Sequence, residues 1–330
     1  MAGSQEQARH WRYAPLPDVD LLRASYVHKT FVRHTHENFV IAGIAEGVEI
    51  FRHHSSEVHA GPGTLALVNP DTPHTGRAGV PEGWRYGAVY PAPALVAGIA
   101  AETTGLRGAP GFREPVFEDP YAVRLVHQVL RAAEEGNALA ADTLLRVAVT
   151  RLLRRNGGVL PSRRVPTAGA RTAGRARALL AERMAAPPSL DALAAELGTS
   201  PFALLRAFRE TYGMPPHTWL TDARVRHARR LLDQGTSPAE AAAAVGFTDQ
   251  PHLNRHFTRI VGVPPGAYQR ERKNVQDDEH QFLVPSGTWE NRNSQQRYDE
   301  HDAPEVRSRH DERSAPTTAE GPPGTPGEQP

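Results

Sequence analysis

Two stretches of the chain repeat one another: SLDALAAELGTSPFALLRAFRETYGMPP (189–216) and SPAEAAAAVGFTDQPHLNRHFTRIVGVPP (237–265). The alignment pairs Gly198 with Gly246. After a one-residue insertion it pairs Leu204 with Leu253, Arg206 with Arg255, Phe208 with Phe257, Gly213 with Gly262, and the two Pro-Pro dipeptides. Self-similarity of this kind marks one supersecondary unit used twice. Each copy opens on a serine placed to cap a helix and carries an acid in the first turn, Asp191 or Glu240. Each short helix ends near a glycine able to adopt positive φ, after which TS or FTD supplies the polar cap of a second helix, with Ser200 in the first copy. The pattern predicts two helix-turn-helix units. In the second helix of each unit Leu204 and Phe208, or Leu253 and Phe257, lie four apart and share a buried face. That spacing turns Leu205, Arg206 and Arg209, or Gln250, Asn254 and Arg255, outward. Arginine pairs bidentately with guanine edges, Asn and Gln pair with adenine, and an apolar side chain meets the thymine methyl.

Between the copies, WLTDARVRHARRLL (219–232) has the apolar spacing of a long connecting helix. Its arginines Arg224, Arg226, Arg229 and Arg230 are expected at the surface, available to phosphates. The net charge of +1 is unevenly spread: 18 basic against 16 acidic residues in 1–170, 14 against 9 in 171–272, and 6 against 12 in 273–330. The basic excess coincides with the repeat, which suits a polyanionic partner.

Upstream the rhythm is different. From about Leu21 to Tyr90, short runs such as NFVIAGIAEG, VEIFRHH, GTLALVNP and WRYGAVYP alternate with Gly, Pro, Asn and Asp junctions, as in a small β-sandwich or barrel. From Asp119, Val123, Val126, His127 and Leu130 form one helical stripe and Leu144, Leu145, Ala148 and Leu152 another. A Gly-, Pro- and Ser-bearing stretch at 155–170 reads as a linker. The tail from Lys273, poor in apolar residues, is expected to be disordered. With 330 residues, 39% of them hydrophobic, the chain has room for two domains. With no cysteine it carries no disulfide, thiolate metal site, iron–sulfur cluster or cysteine nucleophile, which suits a reducing compartment. No apolar stretch approaches a membrane span and the N-terminus lacks the apolar core of a signal peptide, so a cytoplasmic protein is expected.

Residues 172–271 resemble the DNA-binding domain of the AraC/XylS family of bacterial transcription regulators; the ending AAAVGFTDQPHLNRHFTRIVGVPPGAYQR is close to that family's signature. The resemblance implies two recognition helices entering successive major grooves about one DNA turn apart. Carried over by position, the contact set is Ser200, Phe202, Leu205, Arg206 and Arg209 in the first unit and Gln250, Pro251, Asn254 and Arg255 in the second. Leu205 and Pro251 stand where relatives often carry polar readers. It also implies promoter DNA and RNA polymerase as partners.

Residues 20–105 resemble the cupin-like sensor domain that many such regulators carry, with HTHENFVIAGIAEG similar to the first cupin motif and GPGTLALVNPDTPHTG to the second. In a strand His34 and His36 point to one face, and His74 can converge on them from another strand. Three imidazoles are the kind of donor set that holds zinc, iron or nickel. A catalytic cupin adds a carboxylate about four residues after its second histidine, and Val40 stands there, with Glu37 on the opposite face of an ideal strand. The expectation is therefore a polar effector pocket with no metal and no cofactor. Adjacent His53 and His54 diverge and are expected at the surface. Trp84, Tyr86 and Tyr90 share one face by alternation, either as core or as a stacking surface for an effector.

The expected fold is multidomain, β plus α: an arm (1–19), a cupin-like barrel (20–105), accessory helices for dimerisation (106–155), a linker (156–171), an all-α double helix-turn-helix domain (172–272) and an acidic tail (273–330). The expected function is a homodimeric, sequence-specific transcription regulator, not an enzyme, controlled by a small molecule in the barrel. The rival readings are a metal-dependent cupin enzyme fused to a DNA-binding domain, and a DNA-binding protein without a ligand.

Overall fold

The computed structural model describes residues 6–53, 56–160 and 167–272. His54, the middle of the predicted linker and the acidic tail lie outside the described residues.

Among the described residues the N-terminal half contains twelve strands and three helices. The strands are β1 (Gln7–Arg12), β2 (Val19–Tyr26), β3 (Thr30–His34), β4 (Val40–Gly47), β5 (Glu49–His53), β6 (Ser56–Ala60), β7 (Thr64–Val68), β8 (His74–Ala78), β9 (Trp84–Pro91), β10 (Pro110–Phe112), β11 (Val116–Glu118) and β12 (Gly157–Val159). The helices are α1 (Pro93–Thr103), α2 (Pro120–Glu134) and α3 (Ala138–Asn156). A six-stranded sheet runs β1-β2-β9-β4-β7-β11, a four-stranded sheet runs β3-β8-β5-β6, and β10 pairs with β12. Strand β1, from the stretch read as an arm, pairs antiparallel with β2, so that Arg12 faces Asp20 across the ladder.

The centre of the six-stranded sheet is buried on both faces, which is why β4 and β9 are largely apolar. Leu21, Ile41, Leu65, Leu67 and Val89 pack on one face against Val126, Val129 and Leu130 of α2 and Leu145, Val149 and Leu152 of α3. Their neighbours in sequence point the other way, toward Phe31 and Phe51 of the smaller sheet. On that inner face the register sets Ala88 of β9 beside Ala42 of β4, and Ala42 beside Ala66 of β7. A row of methyl groups cannot fill the space between two sheets about 10 Å apart. The sequence therefore leaves room inside the barrel at this level.

The C-terminal half is α4 (Ala168–Glu182), α5 (Leu190–Glu196), α6 (Pro201–Tyr212), α7 (Pro216–Asp233), α8 (Pro238–Val245), α9 (Gln250–Val261) and α10 (helical residues 265–272). Ser189, Ser200 and Asp249 cap α5, α6 and α9, and Ser237 forms a reciprocal capping box with Glu240 on α8. Leu204, Phe208, Leu253 and Phe257 are fully buried. The first unit packs with α4 and the second with α10. Both halves belong to one unit, Met1–Leu283. No helix among the described residues is long and apolar enough to cross a membrane.

Candidate functional site

The reading face of the first unit is open. Phe202 is 75% exposed, although an aromatic ring ordinarily seeks burial, and Arg206 and Arg209 are exposed beside it with Leu205 half-buried. Ser200 accepts a hydrogen bond from the Ala203 amide, so its hydroxyl holds the helix start. In the second unit Gln250, Pro251 and Arg255 are exposed, whereas Asn254 is half-buried with its Oδ1 turned inward and unpaired. The two helices thus present a polar, arginine-bearing surface on a scaffold whose opposite faces are locked by apolar packing.

The connecting helix departs from expectation. Its arginines do not lie free for phosphate. Arg224 donates to the Met184 carbonyl at 2.7 Å. Arg226 faces Glu37, Asp71 and Asp222 at 3.5–3.8 Å, and Arg230 donates to Glu37 at 2.8 Å. Arg229 is bound to Asp20 and donates to the Tyr268 hydroxyl at 2.8 Å. The reason is tertiary: α7 docks along the barrel mouth, and the carboxylates there take up three of its four cations.

The docking is a buried electrostatic network. Burial alone would raise the Asp20 carboxyl, but the guanidinium groups of Arg229, Arg272 and Arg12 hold it well below the usual carboxylate range. Asp222 is almost inaccessible; burial raises its carboxyl, opposed by Arg226 and by Thr35, whose hydroxyl donates to it at 2.7 Å. His10 of β1 sits against the Val261 carbonyl at 3.0 Å, and its amide donates to Glu271 at 2.8 Å. Burial and the neighbouring Arg229 and Arg272 push the His10 imidazole down to about 3.

Beneath this contact is a cavity of about 490 Å³, within the range of small-molecule sites. Ala42, Ala66, Val68, Phe31 and Phe51 line its apolar part, His34, His36, His74, Glu49, Tyr86 and Tyr90 its polar part, and Val225, Arg226, Arg229 and Arg230 of α7 its far wall. The three histidines converge as the strand geometry predicts: His34 pairs with His74 across β3 and β8, and the ring centroids are 4.4–5.0 Å apart. Tyr90 lies 5.5 Å from His36. Burial pushes the Glu49 carboxyl up to about 7 and the Tyr86 and Tyr90 hydroxyls above their ordinary range.

Trp84 does not line this cavity. It is wedged beside Tyr26 at 5.3 Å and stacked on Tyr86 at 6.3 Å, within the apolar cluster between the two sheets. It is core, whereas Tyr86 and Tyr90 meet the space. His53 is half-buried and sits opposite His74 across β5 and β8, so it is not the surface residue expected. Sequence reasoning missed Glu49, Phe31 and the α7 wall. Glu49 had a signal, as an acid alternating into the inward face of VEIFRHH. The α7 wall had none.

Residues 16–149 match a family model described as an AraC-like ligand binding domain, and residues 193–271 match one described as a helix-turn-helix domain. An uncharacterized HTH-type transcriptional regulator of Bacillus subtilis, YbfI, is 27% identical over 250 residues, which are 76% of this chain and 90% of that one. The transcriptional activator RhaR of Klebsiella pneumoniae is 28% identical over 153 residues, 46% of this chain and about half (53%) of RhaR. Among solved structures, ToxT from Vibrio cholerae, 11% identical, aligns over 81% of this chain and 97% of its own with a TM-score of 0.49. With a ligand-binding barrel followed by paired helix-turn-helix units, this chain belongs to the AraC/XylS family of DNA-binding transcription regulators.

Proposed function

We propose that the protein acts on its promoter as a homodimer whose hold on DNA is set by a small molecule in the barrel cavity. The observation that carries this reading is the shape of the cavity: one wall is barrel, and the other is α7, the helix that ties the two helix-turn-helix units together. An occupant touching both walls has different contacts in the docked and undocked arrangements, and only such a difference can shift the balance between them. His34, His36, His74, Tyr86 and Tyr90 are the effector contacts in this reading, and Ser200, Phe202, Leu205, Arg206, Arg209, Gln250, Pro251, Asn254 and Arg255 the DNA contacts.

The division of labour follows the chain: a barrel built on 20–105 with 1–19 as its leading segment, 106–155 for dimerisation, 156–171 as the connection, 172–272 for DNA, and 273–330 as an acidic extension. Dimerisation is supported by the outer face of α3, which exposes Leu139 and Val147. Contact with RNA polymerase and a cytoplasmic location belong to the same reading, and no catalytic step does. The test is a thermal-shift screen of small metabolites, followed by anisotropy titrations of the protein's own upstream DNA and a scrambled duplex at two salt concentrations. Compounds that raise the unfolding midpoint are expected to change affinity or footprint on the upstream DNA. Stabilising compounds that leave both unaltered would overturn control through the cavity.

A further inference from the structure

We propose that His34, His36 and His74 form a binding site for a divalent transition-metal ion of the zinc type, open on its fourth side to the barrel cavity. The assignment rests on donor geometry and stands whether or not the cavity controls DNA binding.

One ligating nitrogen from each histidine lies within 4.8 Å of the other two. The Nε2 atoms of His34 and His36 are 3.1 Å apart. Nitrogens bound tetrahedrally to zinc at about 2.0–2.1 Å stand roughly 3.3–3.4 Å from one another. One edge of the triangle is thus already near coordination spacing, and the other two are no longer than 4.8 Å.

The outer hydrogen bonds point the same way. The Nδ1–H of His34 donates to the Val32 carbonyl at 2.7 Å, and that of His74 donates to the Thr72 carbonyl at 3.0 Å. Both of these histidines are tied to the carbonyl two residues before them. That tie fixes the tautomer and leaves the Nε2 lone pair facing inward, the arrangement found around metal-bound imidazoles. With His34 Nδ1–H donating to Val32, His36 Nε2–H donates to His34 Nε2, and a single tautomer change on His36 releases the third donor.

Three imidazoles without a fourth protein ligand form an open site. Val40, where a catalytic cupin keeps its carboxylate, lines the cavity, so the free position faces the space an effector would occupy. Thr35, between two of the donors, holds Asp222 of α7 through both its hydroxyl and its amide. Metal occupancy would therefore be registered one residue from the contact between barrel and DNA-binding half.

The test uses the untagged full chain, stripped with chelator, desalted and titrated with Co²⁺ and then Zn²⁺. Visible Co²⁺ absorption is expected to saturate at about one ion per chain and to be displaced by Zn²⁺. His36→Gln and His74→Gln should each weaken binding at least about tenfold. A His252→Gln/His256→Gln variant should bind as the wild type does; it removes the other close imidazole pair, whose Nε2 atoms are 3.2 Å apart on α9. Absence of saturable absorption in folded wild-type protein overturns the proposal, as does binding that survives both cavity variants or is lost with the α9 pair. Should the cavity variants fail to fold, the wild-type midpoint decides: a dose-dependent rise with Zn²⁺, retained in the α9 variant, supports the site. An unmoved midpoint refutes it.

Discussion

The two helix-turn-helix units are copies in sequence but not in surroundings. Both end their second helix on a left-handed glycine, Gly213 at φ +68° and Gly262 at φ +100°, and both glycines abut the barrel. The atoms nearest to a Cβ on Gly213 belong to Pro73 and to Arg33, which donates to the Gly213 carbonyl. Beside Gly262 stand the buried Tyr26 hydroxyl and Phe31. The second unit is tied further by His10, by Lys29 donating to the Thr258 carbonyl, and by the Asp20 network on Arg229 and Arg272. One pattern thus yields a lightly tethered reader and a firmly anchored one. The repeat specifies each unit's interior, while the barrel decides how far each unit's position depends on it.

The largest break in this asymmetry should come from Asp20→Ala. Removing the shared carboxylate leaves Arg229 and Arg272 buried without it and is expected to cost about 3–5 kcal/mol in urea unfolding. A loss below about 1 kcal/mol would show that the network contributes little to the anchoring.

Acid should act on the same side. The His10 imidazole is at about 3 in the folded chain against 6.5 ordinarily. The folded form therefore binds fewer protons than the unfolded one below pH 6.5, and its stability is present above that value and lost as pH falls toward 3. For His10 alone this reaches about 3 kcal/mol by pH 4, and the lowered cavity histidines add to it in the same direction. His10→Gln should flatten part of the denaturation profile between pH 6.5 and 4; an unchanged profile would remove His10 from the account.

The glycine pair sharpens the comparison directly. A Cβ on Gly262 would sit 2.3 Å from the Tyr26 Oη, but one on Gly213 would sit 3.1 Å from Pro73 Cγ. Gly262→Ala adds overpacking to left-handed strain and should cost about 2–4 kcal/mol, against about 1–2 for Gly213→Ala. Equal thermal shifts would mean that the two units are equally tethered.

On DNA the units should look alike. Arg206→Ala and Arg255→Ala are each expected to lose about 1–3 kcal/mol at the cognate site and less on random duplex. Equal losses on both DNAs in anisotropy titrations would make them phosphate contacts. The smallest effect belongs to Arg230→Ala. Its exposed pair with Glu37 is worth about 0–1 kcal/mol, and the salt slope of DNA binding should not change. A shallower slope would return Arg230 to the DNA interface.

Much of the fold was legible because its signals are local. The serine caps, the glycine terminators and the four-residue spacing of Leu204 with Phe208 act over single helical turns. The convergence of His34, His36 and His74 was legible as well, since strand alternation fixes the faces of two of them and a strand pairing brings the third. Trp84 shows where alternation stops: it shares a face with Tyr86 and Tyr90, yet it packs against Tyr26 and Phe31 while the two tyrosines line the cavity.

The paired helix-turn-helix units, the barrel rhythm and the shared face of His34 and His36 follow from periodicity and short-range sterics, and the β3–β8 pairing brings His74 to them. The docking of the two halves added that α7 walls the cavity, that Arg226, Arg229 and Arg230 meet barrel carboxylates, and that Thr35 is bonded to Asp222. Those contacts between the halves join residues about 155 to 209 positions apart. An arginine on a helix surface carries no local mark of which anion it will meet; that is set by how two independently patterned halves dock, where burial makes every unpaired charge costly.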